Sequence, residues 1–284
     1  MSGDGWRIAL VSTVAPVVER LVPVLRDLQH DPVAVVTARR RRGEPRPDDA
    51  DVQLTDANAP EGLDLLFARD KWSVEPMLRS CEPDVMLCWG FPWKIPAEAL
   101  AVPPLGSVNC HPAPLPRHRG PVPLAWALRE GDSHFGVTWH RMDAELDTGA
   151  LLAQTTVPID DDDTTIAEIG PKIGAAGLSL LPRVFERIAA RDLGDPQPIE
   201  GVSWAGHFGE DYATVDWSQP ARRVHDQVRA WGLTFGLSPV AGPIAELEGA
   251  RVRLIRTSLR ERVDAVARVE CGDGPLWILE HESV

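Results

Sequence analysis

Asn109 and His111 stand two residues apart in the run Ser107-Val-Asn-Cys-His-Pro-Ala-Pro-Leu-Pro-Arg-His-Arg-Gly120. On a strand, side chains at i and i+2 point to the same face, so this amide and this imidazole can converge on one atom. A carboxylate follows in Met142-Asp-Ala-Glu-Leu-Asp-Thr-Gly149, where Asp147 precedes a Thr-Gly turn. Asn, His and Asp brought to one cleft suit acyl transfer. The amide stabilises an oxyanion, the imidazole moves a proton, and the carboxylate sets the imidazole's charge and tautomer. Each residue alone has a blander reading: Asn109 as a turn former at a strand end, His111 as a capping or surface histidine, Asp147 as an Asx-turn residue. Their shared placement beside Gly- and Pro-rich turns makes the set more specific than its members.

Such groups need a rigid frame, and the flanking sequence supplies one. Arg7–Ser12 and Val33–Thr37 are short apolar runs, and between them Val17, Leu21, Val24, Leu25 and Leu28 recur at near-helical spacing. That is a βαβ opening. Val85–Trp89 and Ser107–Cys110 read as further buried strands, with Met77 and Leu78 on a preceding helix. Apolar strands alternating with amphipathic helices predict an α/β fold with a Rossmann-like, mostly parallel sheet. Ligands of such sheets lie outside the carboxyl ends of the strands, where Asn109 and His111 fall. Val137–Arg141 and Leu151–Val157 read as a strand pair flanking the Asp147 turn.

The run Asp160–Asp163 favours the positive end of a helix dipole, with Asp163 or Thr164 as the N-cap, and Pro171 is expected to kink or restart that helix. Four adjacent carboxylates cannot all turn to one ion, so no metal site is expected there. Asp195-Pro-Gln-Pro198 reads as a linker. Beyond it the chain predicts a strand over Thr214–Trp217, a helix over Arg222–Trp231, and strands over Arg251–Ile255, Val263–Val269 and Leu276–Leu279. The expected division is a catalytic domain over residues 1–193 and a small β-rich C-terminal subdomain over 205–284.

Composition narrows the function classes. A hydrophobic fraction of 44% with 25% charged residues is ordinary for a globular protein. No apolar run suits a membrane span, and Met1–Trp6 has neither a basic region nor an apolar core, so a cytoplasmic location is expected. The four cysteines show no CxxC spacing and no disulfide framework. Cys110 should face away from Asn109 and His111 and be buried as a small hydrophobe. No GxGxxG follows the first strand, which disfavours a dinucleotide-dependent dehydrogenase. A net charge of −13 argues against a nucleic-acid partner, since positive charge is confined to Arg39–Arg42 and the surroundings of Arg117 and Arg119.

The segments SVNCHPAPLPRHRGPVPLAWAL and GDSHFGVTWHRMDAELDTGALLAQ resemble the catalytic core of the 10-formyltetrahydrofolate-dependent formyltransferases. They are most similar to the branch holding methionyl-tRNA formyltransferase and the amino-sugar N-formyltransferases, which shares the continuation Arg119-Gly120-Pro-Val-Pro123. The resemblance is strong over roughly residues 80–160, and Tyr212–Trp217 resembles the start of that branch's C-terminal domain. By motif it assigns catalysis to Asn109, His111 and Asp147, and implies 10-formyltetrahydrofolate as donor with no metal or covalent enzyme intermediate. It also implies a pterin pocket built from Phe91, Trp93 and Ile95, from Leu115 before a cis proline bond, and from Asp143 and Leu146. Arg117, Arg119 and Gly120 are then candidates for substrate contact.

The acceptor is a separate question. Val11–Pro16 lacks the Gly-Thr-Pro-Glu-Phe turn usual in the tRNA enzymes, and the C-terminal part is short for a tRNA-binding barrel. With the acidic charge, these features favour the amine or hydroxylamine of a small biosynthetic metabolite. The basic run Arg39–Arg42, near an insertion loop of the tRNA enzymes, keeps methionyl-tRNA as the alternative, and a formyltetrahydrofolate deformylase with water as acceptor is a further one. A C-terminal homodimer face is also expected as an option.

Overall fold

The computed structural model describes residues 5–39, 53–55, 57–236 and 238–284. The chain divides into two compact units whose segments alternate in sequence. The first comprises Met1–Pro116, Gly136–Thr155 and Gly174–Val202; the second comprises Arg117–Phe135, Thr156–Ile173 and Ser203–Val284.

The first unit opens with β1 (Arg7–Val11), α1 (Ala15–Asp27) and β2 (Asp31–Ala38), followed by β3 (Asp64–Ala68), α2 (Val74–Cys81), β4 (Val85–Cys88), α3 (Ala97–Leu100) and β5 (Ser107–His111). With β6 (His134–Arg141) and β7 (Leu151–Pro158) they form a seven-stranded sheet in the order β3-β2-β1-β4-β5-β6-β7. The β1–β2, β2–β3, β1–β4 and β4–β5 pairs are parallel and β5–β6 is antiparallel. The α/β reading with a mostly parallel sheet therefore holds. Strands β1 and β4 are buried almost throughout because helices cover both faces of such sheets. Val11, Val36, Leu78, Met86 and Ile95 belong to one core cluster, and the unit also holds helix α6 (Leu181–Ala189).

The strand order changes direction between β1 and β4, the point where open α/β sheets leave a crevice at their carboxyl edge. There the Thr13 hydroxyl donates to the Gly90 carbonyl at 2.9 Å, tying the two strand exits together. Strand β3 went unread in sequence: its run Asp-Leu-Leu-Phe-Ala is short, begins with a charge, and lies at the sheet edge with only Ala68 fully buried.

In the second unit, α4 (Pro123–Glu130) and α7 (Ala221–Gly232) accompany a four-stranded antiparallel sheet in the order β10-β11-β9-β8. Its strands are β8 (Ile244–Leu247), β9 (Ala250–Ser258), β10 (Ala267–Cys271) and β11 (Gly274–Ser283). Val224 and Val228 of α7 share a core cluster with Leu254, Leu276 and Ile278. Two expectations need correction here. Thr214–Trp217 forms only a single bridge, Thr214 to Ile244, because the chain turns into Ser218 within it. The strand expected from Val263 begins at Ala267, since Val263 is fully exposed and has no sheet neighbour to pair with. Helix α5 (Ile166–Ser179) contains Pro171, with buried Ile169 and Ile173 on either side of the proline.

The N-terminus of α5 is a capping box one residue later than expected. The Glu168 carboxylate accepts the Thr165 and Thr164 backbone N–H groups, each at 2.8 Å. The acidic run is shared out among cations: Lys172 reaches Asp160 at 2.6 Å and Asp163 at 2.7 Å, and Arg222 reaches Asp161 at 2.7 Å. Among the described residues, no helix is long and apolar enough to cross a membrane.

Candidate active site

Register places the polar cluster. Across β4, β5 and β6, Cys88 pairs with Asn109, and Asn109 with His140; one step on, His111 pairs with Thr138. Directly paired residues share a face of the sheet, and so do residues two apart. Asn109, His111, Thr138 and His140 therefore point to one side, while Cys110 and Trp139 point to the other. The connection after β6 then brings Asp147 back over this face.

The four groups meet. Asn109 Nδ2 lies 3.1 Å from His140 Nε2 and 3.4 Å from Asp147 Oδ1. Asp147 Oδ2 is 3.7 Å from His111 Nδ1, and its Oδ1 is 3.5 Å from His140 Nε2. His111, His140 and Asp147 are all buried, and Asn109 is half-buried. The sequence-predicted trio is thus brought together, with a fourth member that the sequence reading passed over. The signal was available: in the strand His134–Arg141, Thr138 and His140 alternate with the apolar Val137 and Trp139.

The frame around the cluster is made of backbone clamps. Asp147 has φ 57°, and the Gln197 amide donates to the carbonyls of both Asp147 and Gly149 at 2.8 Å. Asp143 Oδ1 accepts from the Thr148 hydroxyl at 2.6 Å, pinning the other side of the same turn. Gly149 is required sterically, because a β-carbon there would lie 1.8 Å from the Arg141 carbonyl oxygen. The segment Asp195–Pro198 is accordingly no linker: Asp195 bridges to Leu151 beside β7, and Gln197 closes the turn. On the other flank, Gln154 donates to the Leu115 carbonyl at 2.9 Å, and the Thr138 hydroxyl to the Ala113 carbonyl at 2.6 Å. The Leu115–Pro116 bond between these anchors is cis.

Neither nearby thiol has the lowered pKa of an activated thiolate. Burial, with the Asp147 charge second, pushes Cys88 far up, and burial pushes Cys110 well above the ordinary thiol range. Both remain protonated at neutral pH.

The residues assigned to a pterin pocket divide by exposure. Phe91 and Trp93 are half-buried and meet edge to face at 5.3 Å between centroids. Met142 packs with them against one core cluster, and Lys94 bridges to Glu145 at 3.3 Å, so the segments 91–95 and 142–147 adjoin. Ile95 and Leu115 are core residues, Asp143 is exposed, and Leu146 is half-buried.

Arg117, Arg119 and Gly120 belong to the second unit. Arg117 Nη2 contacts Glu130 at 2.7 Å and Asp132 at 2.9 Å, and His118 Nε2 meets Asp132 at 2.8 Å. His118, Glu130 and Asp132 are close enough together to hold a metal ion, but the guanidinium already offsets their carboxylates. Arg119 exchanges backbone bonds with Ser203 and Ala205, and Gly120, at φ 116°, has Ala205 O only 3.0 Å from where a β-carbon would sit. Of the basic run Arg39–Arg42, residues 40–42 lie outside the described residues. Arg39 is exposed and lines a cavity of about 340 Å³ with Thr13, Thr37, Gln53, Leu54, Thr55 and Phe67. Thr13 and Thr37 place this cavity at the carboxyl edge of β1 and β2.

Residues 8–185 match the family model described as "Formyl transferase". The methionyl-tRNA formyltransferase of Paracoccus denitrificans is 34% identical over 205 residues, covering 70% of this chain and 66% of the relative. The chain spans about half to two thirds of the length of the curated relatives it matches. Among solved structures, HypX from Aquifex aeolicus in complex with tetrahydrofolic acid superposes with TM-score 0.70 at 19% identity, covering 99% of this chain and 44% of that one. WlaRD, a sugar 3N-formyl transferase solved with dTDP and 5-N-formyl-THF, gives TM-score 0.63 at 16% identity, covering 98% and 97%.

Proposed function

The chain belongs to the formyl transferase family, and from that premise we propose that it moves the formyl group of 10-formyltetrahydrofolate to a primary amine or hydroxylamine of a small biosynthetic metabolite, such as an amino-sugar nucleotide or an amino-acid derivative. The observation that carries the chemistry is the convergence of Asn109, His111 and Asp147 on one buried face, with Asn109 Nδ2 3.4 Å and His111 Nδ1 3.7 Å from the same carboxylate.

The residues present fit a reduced folate. The half-buried pair Phe91 and Trp93 offers an aromatic wall for a pterin, and the adjoining 142–147 segment offers backbone polar groups beside it. When bound, the folate supplies an activated formyl group. Asn109 Nδ2 donates a hydrogen bond to the formyl oxygen as negative charge develops there, and a protonated His111 adds a second donor. Asp147 favours the charged form of His111 by its own charge and would take up, through water, the proton shed by the attacking amine, while His111 would hand its own proton to the folate nitrogen as the bond from that nitrogen to the formyl carbon breaks.

For the acceptor, two observations support a small molecule. The net charge of −13 opposes the approach of a polyanion. The cavity at the carboxyl edge of β1 and β2 is lined by three threonines, a glutamine and one arginine, a suitable wall for a hydroxylated metabolite. The relatives named methionyl-tRNA formyltransferase support the second reading, a charged initiator tRNA. A panel assay decides between them. With 10-formyltetrahydrofolate as donor, amino-sugar nucleotides, hydroxyornithine and simple amines are compared with charged initiator tRNA across a salt series. Turnover of a small amine that varies little with salt is the expected result. Fast tRNA turnover that collapses as salt rises establishes the second reading instead. Formate release at the same rate without any acceptor identifies a hydrolase.

A further inference from the structure

We propose that His140 is a positioning residue for the transfer reaction: held as the neutral Nδ1–H tautomer, it orients the Asn109 carboxamide so that an N–H, and not the carbonyl, faces the reacting group. The proposal rests on the formyl-transfer reading for its kinetic consequence, but the tautomer itself does not depend on that reading.

Hydrogen-bond chemistry fixes each step. His140 Nδ1 lies 2.7 Å from the backbone carbonyl oxygen of Arg141. A carbonyl only accepts, so Nδ1 carries the proton. In a neutral ring Nε2 is then a lone pair, and the group 3.1 Å from it is Asn109 Nδ2, a donor. Turning the carboxamide over would set Oδ1 against that lone pair and also against Asp147 Oδ1, now 3.4 Å from Nδ2. Two acceptor–acceptor contacts in a buried cluster oppose that flip. A doubly protonated His140 would instead donate to Asp147 Oδ1 at 3.5 Å and repel the Asn109 N–H, which is closer. The shorter contact selects the neutral ring.

The consequence follows from the valence of the amide. Asn109 Nδ2 has two protons. One is spent on His140 Nε2, and the other points at Asp147 Oδ1 across a longer 3.4 Å contact, the donor that an entering formyl oxygen would take over. Asn109 alone could present either end of its carboxamide to a ligand. His140, through the shorter of the two contacts and together with Asp147, removes that choice before substrate arrives, which is preorganisation of a donor. His140 itself, 2% exposed on the β6 backbone, acts only through Asn109.

The test separates the two ends of the ring. Gln at position 140 keeps an acceptor where Nε2 was, and Asn keeps a donor where Nδ1 was. His140→Leu is expected to lower kcat about 10- to 100-fold with the folate KM within roughly twofold, less than deleting the donor itself, because Asn109 is still present and only its orientation is loosened. His140→Gln should recover most of the loss and His140→Asn little of it. Asn109→Ala and Asn109→Ala/His140→Leu should be equally slow, because both lack the oriented donor. Recovery by Asn and not Gln, full activity in a folded His140→Leu protein, or multiplied losses in the double variant each overturn the proposal. Independently of any acceptor, two-bond ¹H–¹⁵N spectra should show His140 protonated at Nδ1 and bare at Nε2, with the Nε2 signal moved by Asn109→Ala. An Nε2–H tautomer, or a signal indifferent to Asn109, sinks the idea whether or not the wild-type protein transfers formyl groups. If the wild type transfers to nothing but shows the tautomer, the orientation stands and the formyl-transfer reading falls.

Discussion

Asn109, His111 and Asp147 bear on one reacting group but do different work, so their substitutions should leave different signatures. Replacing His111 with Ala removes the proton-moving group and should cost about 100- to 10,000-fold in kcat. Asn109→Ala removes an oxyanion donor and should cost about 100- to 1,000-fold, chiefly in kcat. Circular dichroism should show all variants folded, since a retained wild-type rate in any of them would contradict the mechanism. At this scale the sequence was highly legible, because strand periodicity alone put Asn109 and His111 on one face. His140 escaped for a physical reason: its partner lies on the neighbouring strand, and only the antiparallel register of β5 on β6 sets it opposite Asn109. Register depends on tertiary pairing that neither strand's own pattern specifies.

The elements explain why Asp147, on a connection and not a strand, is held as firmly as its partners. Its turn is crowded on one side by the Arg141 carbonyl against Gly149 and roofed on the other by Gln197. Gly149→Ala must push away the same carbonyl that fixes the His140 tautomer, so it should destabilise by about 1–3 kcal/mol and also reduce kcat. Gln197→Ala removes two hydrogen bonds to the turn and should cost about 1–2 kcal/mol in urea unfolding. Its kcat should fall by about tenfold, the factor for 1.4 kcal/mol of lost positioning. A variant as active as wild type would show that the clamp is dispensable to Asp147. The Asp195–Pro198 run looked like a linker because its prolines forbid helix and interior strand. That local rule is correct, yet it says nothing about whether an extended segment packs, and here Asp195 bridges Leu151 and Gln197 closes a turn fifty residues earlier. Likewise the capping box on α5 was displaced by one residue because several Asp and Thr residues compete for the same N-cap, and Glu168 decides among them.

At the scale of the whole molecule, the acidic charge bears on the acceptor and a buried histidine bears on stability. His225 on α7 is 1% exposed, with Nδ1 2.8 Å from the Thr257 hydroxyl and Nε2 3.1 Å from the Asp161 carbonyl. The carbonyl must accept from Nε2–H, and the hydroxyl can donate to Nδ1, so the neutral ring is fully bonded. Burial, reinforced by the charge of Arg229, pulls its pKa down to about 4. In the unfolded chain the same imidazole titrates near its ordinary value of about 6.5. Between those limits the unfolded state binds a proton that the native state does not, so stability falls as pH falls from about 6.5 to about 4. Each pH unit inside that window is worth about 1.4 kcal/mol at most, giving roughly 2 kcal/mol between pH 7 and pH 5 from this residue. Asp226, held above the usual carboxylate range by burial, works in the opposite sense at lower pH. The contribution of His225 is therefore read as a difference. Urea unfolding at both pH values, followed by tryptophan fluorescence, should show wild type losing about 2 kcal/mol more than a His225→Gln variant over that interval. Equal losses in the two proteins would mean that His225 is protonated in the native fold, and that the Asp161 and Thr257 contacts do not hold it neutral.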